Sequence, residues 1–133
     1  MIKICCGTIL FTIKENLRYY VLVKQREGHV GLPKGHILEN ETLMEGALRE
    51  TYEEVGIKAT ILSDFMIEDE YYLPNGNLKK VTFFLAEYSN QELNIDQNEV
   101  SEVFLLPFEE AYDMLTYEET KEVLKKANNF LVN

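Results

Sequence analysis

The sequence predicts an α/β fold in which one mixed β-sheet is held between helical layers. Three observations carry that prediction. Two runs rich in β-branched and apolar residues, 2–13 and 18–25, flank a short Glu15-Asn16 turn. An amphipathic helical pattern over 42–55 ends at Gly56. Further strand-like runs follow it, and the chain closes on a helical pattern after Pro107.

Taken in order, IKICCGTILFTI reads as the first strand and RYYVLVKQ as the second, with the hairpin turn between them. Residues 26–41 contain three glycines and Pro33 and read as one long loop, a length usually kept for function. In the helix over 42–55, a step of about 100° per residue places Ala47, Thr51, Met44, Val55, Leu48 and Tyr52 along one core-facing stripe. Gly56 is suited to the left-handed residue that ends a helix. Residues 57–71 read as one or two strands, Pro74-Asn75-Gly76-Asn77 as a turn, and 79–88 as another strand. Residues 91–98 are polar and read as a loop. Residues 100–106 form a strand stopped by Pro107, and the tail reads as helix in two pieces broken near Thr116. No repeat, low-complexity stretch or linker interrupts the chain, so 1–133 is expected to be a single domain.

Composition narrows the function. Hydrophobic residues are 46% and charged residues 27%, the balance of a globular protein, and 23 acids against 13 bases give a net charge of −10. Such a surface repels long nucleic acids and anionic membranes. No apolar run reaches the ~20 residues of a membrane span, and the start lacks the layout of a signal peptide. Cys5 and Cys6 are adjacent, so in a strand they point to opposite faces and do not pair with each other. The cytoplasm is the expected location. A monomer or small homo-oligomer is expected.

The most informative stretch is 35–57. Glu50, Glu53 and Glu54 are spaced i, i+3, i+4, which gathers three carboxylates on an arc of about 100° that also carries Gly46. Arg49 is the one base near them, since no lysine occurs between Lys34 and Lys58. A solvated acidic face is the bland reading. Against it, a long glycine-bearing loop feeds straight into this helix. Oxygen ligands of this kind suit Mg²⁺ or Mn²⁺, and such an ion can bridge phosphate oxygens and generate hydroxide from water. The residues alone therefore point to metal-assisted phosphoryl chemistry.

The same stretch resembles the Nudix hydrolase signature: Gly, five residues, Glu, seven residues, then Arg-Glu-apolar-any-Glu-Glu-any-Gly-apolar. Here it reads Gly35, Glu41, Arg49-Glu50-Thr51-Tyr52-Glu53-Glu54-Val55-Gly56-Ile57, with seven residue identities across 23 positions and one soft departure at Thr51. The resemblance implies the α/β/α Nudix fold with the box at 35–57. It implies metal ligation by Glu53 and Glu54, by Glu50 as a ligand or water-activating base, and by the carbonyl of Gly35. Arg49, tied down by Glu41, would orient the glutamates.

Flanking residues resemble the asymmetrically cleaving diadenosine tetraphosphate hydrolases. They are Pro33-Lys34-Gly35-His36, Tyr72 and Lys79 ahead of Val81–Glu87, Glu99, and Tyr117. The resemblance implies phosphate contacts or proton transfer by Lys34, His36 and Lys79, base stacking by Tyr72 and Tyr117, and a metal or base role for Glu99. Lys80 competes with Lys79, and Asp96 and Glu102 compete with Glu99. One departure stands out. A tryptophan common in that group three residues before Pro33 is Val30 here, leaving Tyr20 or Tyr71 to replace its contact. The implied reaction is hydrolysis of diadenosine tetraphosphate to ATP and AMP. The alternatives are a Nudix enzyme for nucleoside triphosphates or RNA 5′ ends, and a nucleotide sensor without turnover. The acidity is also local: residues 39–54 hold six acids and one base, half the net charge, which divalent ions could invert for a small polyphosphate.

Overall fold

The computed structural model describes residues 2–95 and 98–132. The hairpin forms as expected from β1 (Ile2–Lys14) and β2 (Leu17–Gln25), joined by Glu15 and Asn16 at φ 52° and 67°. Two consecutive left-handed residues give a turn whose twist matches the strands.

The segment read as a long loop departs from expectation. It contains two short strands, β3 (Val30–Gly31) on β2 and β4 (Lys34–His36) antiparallel to β1. Strands of two or three residues leave no readable periodicity; they exist because longer strands offer free ladder bonds. Gly7 makes room for this, since a Cβ there would strike the Pro33 carbonyl and Lys34.

Helix α1 spans Leu43–Val55. Thr42 caps it in a reciprocal capping box: the Glu45 N–H donates to Thr42 Oγ1 at 3.1 Å, and the Thr42 N–H donates to Glu45 Oε1 at 2.9 Å. A cap of this kind is worth about 1 kcal/mol. Gly56, at φ 72°, ends the helix.

Next come β5 (Thr60–Tyr72), a single strand with an irregularity between Ile61 and Met66, the turn at 74–77, β6 (Leu78–Glu87) and β7 (Val100–Leu106). Helices α2 (Phe108–Met114) and α3 (Glu118–Val132) are separated where a break was expected. Strand β1 is the centre of the sheet, antiparallel to β2 and parallel to β6 over ten residue pairs, with β5 beyond β6 and β7 beyond β2. The sheet is therefore mixed, as predicted.

Alternation along β1 divides the core. Cys5, Ile9 and Phe11 join the cluster covered by α2 and α3, whereas Cys6 packs with Ala47 of α1. Both thiols are free and buried on opposite faces. Among the described residues, no helix is long and apolar enough to cross a membrane.

The buried face of α1 corrects the expected stripe. Ala47, Thr51 and Val55 are buried, but Met44 and Tyr52 are 43% and 51% exposed, while Gly46 and Glu54 lie inside. The helix is turned toward its carboxylates because Gly46 lets it close on Cys6, and Thr51 shares a 2.7 Å hydrogen bond with Thr8 of β1. Gly46 therefore serves helix–strand approach rather than open space beside the glutamates.

Candidate active site

Arg49 is the hub of the site. Its Nε donates to Glu41 Oε2 at 2.7 Å, and its Nη2 donates to Glu41 Oε1 at 3.1 Å and to the His36 carbonyl at 3.0 Å. Its Nη1 donates to Glu50 Oε2 at 2.8 Å and to Glu53 Oε1 at 3.1 Å. Glu41 also accepts the Leu38 N–H at 2.9 Å. The guanidinium, aided by that amide, holds the Glu41 carboxyl below the usual carboxylate range. The planar fork thus fixes the 36–41 segment, the helix and two glutamates in one arrangement.

Glu54 is 3% exposed. Its Oε1 accepts the Lys34 N–H at 3.0 Å, and its Oε2 accepts Gln25 Nε2 at 3.4 Å. Burial pushes its pKa up to about 7, against the effect of those donors. Burial also raises the Glu50 carboxyl, and the charge of Glu99 pushes both glutamates the same way. Gly35 lies against Glu50 so closely that a Cβ would fall on the carboxylate.

Among the described residues, no three His, Cys, Asp or Glu side chains converge as a ligand group. Glu53 turns outward, with its side chain 50% exposed, while Glu54 turns inward. The donors nevertheless fit a hard divalent cation. They are carboxylate oxygens. Burial, followed by the charges of neighbouring glutamates, raises the pKa of Glu50 and Glu54 despite the Arg49 bond to Glu50 and the Lys34 and Gln25 donors to Glu54; a bound cation would offset that rise.

A cleft of about 450 Å³ lies on the α3 side of the sheet. Lys34, Asp69, Tyr71, Tyr72, Lys79 and Tyr117 line it. Burial, then the neighbouring Lys79 charge, lowers the Lys34 pKa to about 8. Lys79 Nζ sits 5.8 Å from the centre of the Tyr71 ring, a cation–π contact. His29 and Tyr117 have ring centroids 5.8 Å apart, tilted at 48°.

The fold thus gathers Lys34, Lys79, Tyr72 and Tyr117 around the cleft, with Gly35, Arg49, Glu50 and Glu54 adjoining through the Lys34 backbone. His36 is exposed, with Nδ1 3.4 Å from Cys5 Sγ, and partial burial and nearby lysines lower its pKa. Of the competing residues, Lys80 instead pairs with Glu70 at 3.3 Å, Glu102 is exposed on β7, and Asp96 lies outside the described residues. Tyr20 does not reach the cleft: it is fully buried and its hydroxyl donates to Asn128 Oδ1 at 2.7 Å. Tyr71 and His29 supply rings there instead. Val30, in place of a tryptophan, is buried and exchanges two hydrogen bonds with Thr116, its N–H donating to Oγ1 at 2.7 Å and its carbonyl accepting the Thr116 N–H at 3.1 Å.

Sequence reasoning passed over Gln25, His29, Asp69 and Glu119. Gln25 and His29 left no local signal. Asp69 left one: it stands between Ile67 and Tyr71 on the apolar side of an alternating strand.

Residues 7–127 match the family described as NUDIX domain. The chain is 30% and 31% identical to bis(5′-nucleosyl)-tetraphosphatases [asymmetrical] of Rattus norvegicus and Mus musculus, over 95% of this chain and 93% of each relative. Its structure superposes on an Ap4A hydrolase from C. elegans, solved as a binary complex, with TM-score 0.90, 25% identity and 98% of both chains covered. On the signature, the fold and these likenesses, the chain belongs to the NUDIX hydrolase family and acts on phosphoanhydride bonds.

Proposed function

We propose that this chain hydrolyses dinucleoside polyphosphates, taking diadenosine tetraphosphate to ATP and AMP with a divalent cation, Mg²⁺ or Mn²⁺. The observation that carries the proposal is the bridge made by Lys34. Its backbone N–H holds Glu54, and its side chain lines the cleft that also carries Lys79 and three tyrosines. Lys34 thus links the metal-type carboxylates to a polyphosphate-sized, aromatic-lined cleft. The similarity to tetraphosphatases over nearly the full chain supports the substrate class.

Glu50, Glu53, Glu54, Glu99 and the Gly35 carbonyl would hold the cation, which supplies charge neutralisation on phosphate oxygens and lowers the pKa of water. The chain's own residues do the rest. Arg49, braced by Glu41, keeps Glu50 and Glu53 oriented. Glu50, with its pKa raised by burial, takes a proton from the attacking water at a carboxylate oxygen. Lys34 and Lys79 offset charge along the phosphate chain, and His36 contacts a phosphate or passes a proton. Tyr72 and Tyr117 offer base-stacking surfaces worth about 1–3 kcal/mol each. The two free, buried thiols agree with a cytoplasmic location.

The test is hydrolysis of diadenosine tetraphosphate in ¹⁸O-labelled water with Mg²⁺, read by mass spectrometry. ATP and AMP in equal amounts, one of them labelled, is the expected result. Two ADP, or no turnover beside rapid cleavage of a nucleoside triphosphate, would overturn the substrate.

A further inference from the structure

Lys3 has no part in the chemistry above, yet the sheet places it beside residues that do. Strand register pairs Lys3 with Lys79 across β1 and β6. Across β1 and β4 it pairs Cys5 with His36 and Gly7 with Lys34. Paired residues share a face of the sheet, as do residues two apart on one strand. Lys3, Lys34, His36 and Lys79 therefore stand on one face, that of Cys5 and the core under α2 and α3. Lys34 and Lys79 line the cleft, whereas Lys3 lies past its lining, toward the start of β1. From the Lys34 pairing at Gly7 back to Lys3 is about 13 Å of strand.

These bases act on one another and on the buried Cys5 between them. Burial raises the Cys5 thiol, and the charges of Lys79, Lys34 and Lys3 oppose that rise. Burial, then the charges of Lys79, Lys3 and Lys34, lowers the pKa of His36. Among the described residues, none of the four basic side chains forms an ion pair. Like charges directly across neighbouring strands destabilise a sheet. The opposite face of the same sheet avoids that cost, since Lys80 pairs there with Glu70 of β5 at 3.3 Å. In a chain of 23 acids and 13 bases, the Lys3–Lys79 pair leaves local positive charge that an anionic ligand would offset.

We propose that Lys3 determines specificity for phosphate number, extending the basic track past Lys34 and Lys79 so that longer phosphate chains are preferred. An ammonium is a compact charge on a flexible stem, suited to phosphate oxygens without a fixed geometry. A short chain ends within reach of Lys34 and Lys79 and gains little from Lys3. A longer chain reaches Lys3 and gains a further charge-assisted hydrogen bond. This rests on the polyphosphate reading above and adds chain length to it.

Chains that differ only in phosphate number test it. Wild type, K3Q, K3R and K80Q are titrated calorimetrically, with Mg²⁺ present, with inorganic pyrophosphate and linear inorganic pentaphosphate. In parallel, kcat/KM is measured for diadenosine triphosphate and diadenosine pentaphosphate. Wild type is expected to bind pentaphosphate more tightly. In K3Q the pentaphosphate-to-pyrophosphate affinity ratio should fall by about tenfold, the scale of one hydrogen bond to a charged group. K3R should keep most of the ratio, and K80Q, changed on the opposite face, should match wild type. K3M, which keeps the apolar stem, replaces K3Q if the latter folds poorly. A wild-type ratio in a folded variant lacking the Lys3 charge overturns the proposal, as does an equal loss for both chains or a wild type that does not prefer the longer one. Failure to cleave any dinucleotide overturns the proposed substrate instead, and the inorganic chains still decide the role of Lys3.

Discussion

The backbone N–H of Lys34 donates to the buried carboxylate of Glu54 at 3.0 Å, while the Lys34 side chain lines the cleft on the other face of the sheet. One residue thus connects the α1 side of the molecule to the α3 side. A change in the strand β4 is felt by both the carboxylates and the cleft.

The buried Glu54 makes stability depend on pH. Burial raises its folded-state pKa to about 7, so its favourable contribution is complete below the ordinary carboxylate range, and it is lost as pH rises through about 7. In chelator, E54Q should therefore match wild type near pH 4 and exceed it by roughly 3 kcal/mol at pH 8, since burial holds the folded-state carboxyl ~2.5 pH units above its ordinary value. Thermal melts at the two pH values check this. A constant difference between the two proteins would exclude Glu54 as the titrating group.

Gly35 leaves no room for a side chain, because a Cβ falls on Glu50. G35A should lower kcat/KM by about 100-fold, the scale of a small misplacement of reacting groups. The far-UV circular dichroism should be unchanged. Wild-type turnover by a folded G35A would show that the Glu50 position is unimportant.

The fork of Arg49 on Glu41 should behave as a unit. R49K retains charge but loses the two parallel bonds, so its activity should fall nearly as far as that of R49A. In a double-mutant cycle of R49A with E41A, the coupling should be about 1–3 kcal/mol. Additive losses would mean that the pair does not orient the glutamates together.

Lys34 should impose an alkaline limit on substrate capture. Its ammonium, depressed to about 8 by burial and Lys79, is charged below that pH and neutral above it. In the proposed reaction, kcat/KM should decline as pH rises past about 8, and K34Q should be slower but lack that decline. An unchanged alkaline limb in K34Q would assign it to another group.

Removal of divalent ions should abolish turnover and leave the fold intact, because the core clusters are built from apolar side chains and include none of these carboxylates. Activity after dialysis against chelator, then with added Mg²⁺ or Mn²⁺, gives the measurement. Full turnover in the presence of chelator would contradict the role proposed for the carboxylates.

Much of the site was legible because its signals are local. The 35–57 signature, the limits of α1 and the Glu15-Asn16 hairpin all depend on neighbours a few residues away. The buried face of α1 was misread for a physical reason. A periodicity count treats Glu54 as a solvent residue, yet two donors, the Lys34 N–H and Gln25, let it be buried. The choice of Lys79 over Lys80 for the cleft was equally hidden. Adjacent strand residues face opposite ways, and only the pairing of Tyr71 with Lys79 shows which one faces the cleft.

By itself, the sequence determined the α/β/α order of elements, the carboxylate-bearing helix and its brace at Arg49, since capping, turns and i+3, i+4 spacing are encoded over short distances. Only the tertiary structure decided that Lys34 joins two faces of the sheet, and that His29, Tyr71, Asp69 and Glu119 line one cleft. Those relationships connect residues tens of positions apart. They are set by strand register and by how α3 lies on the sheet, which no local pattern along the chain specifies.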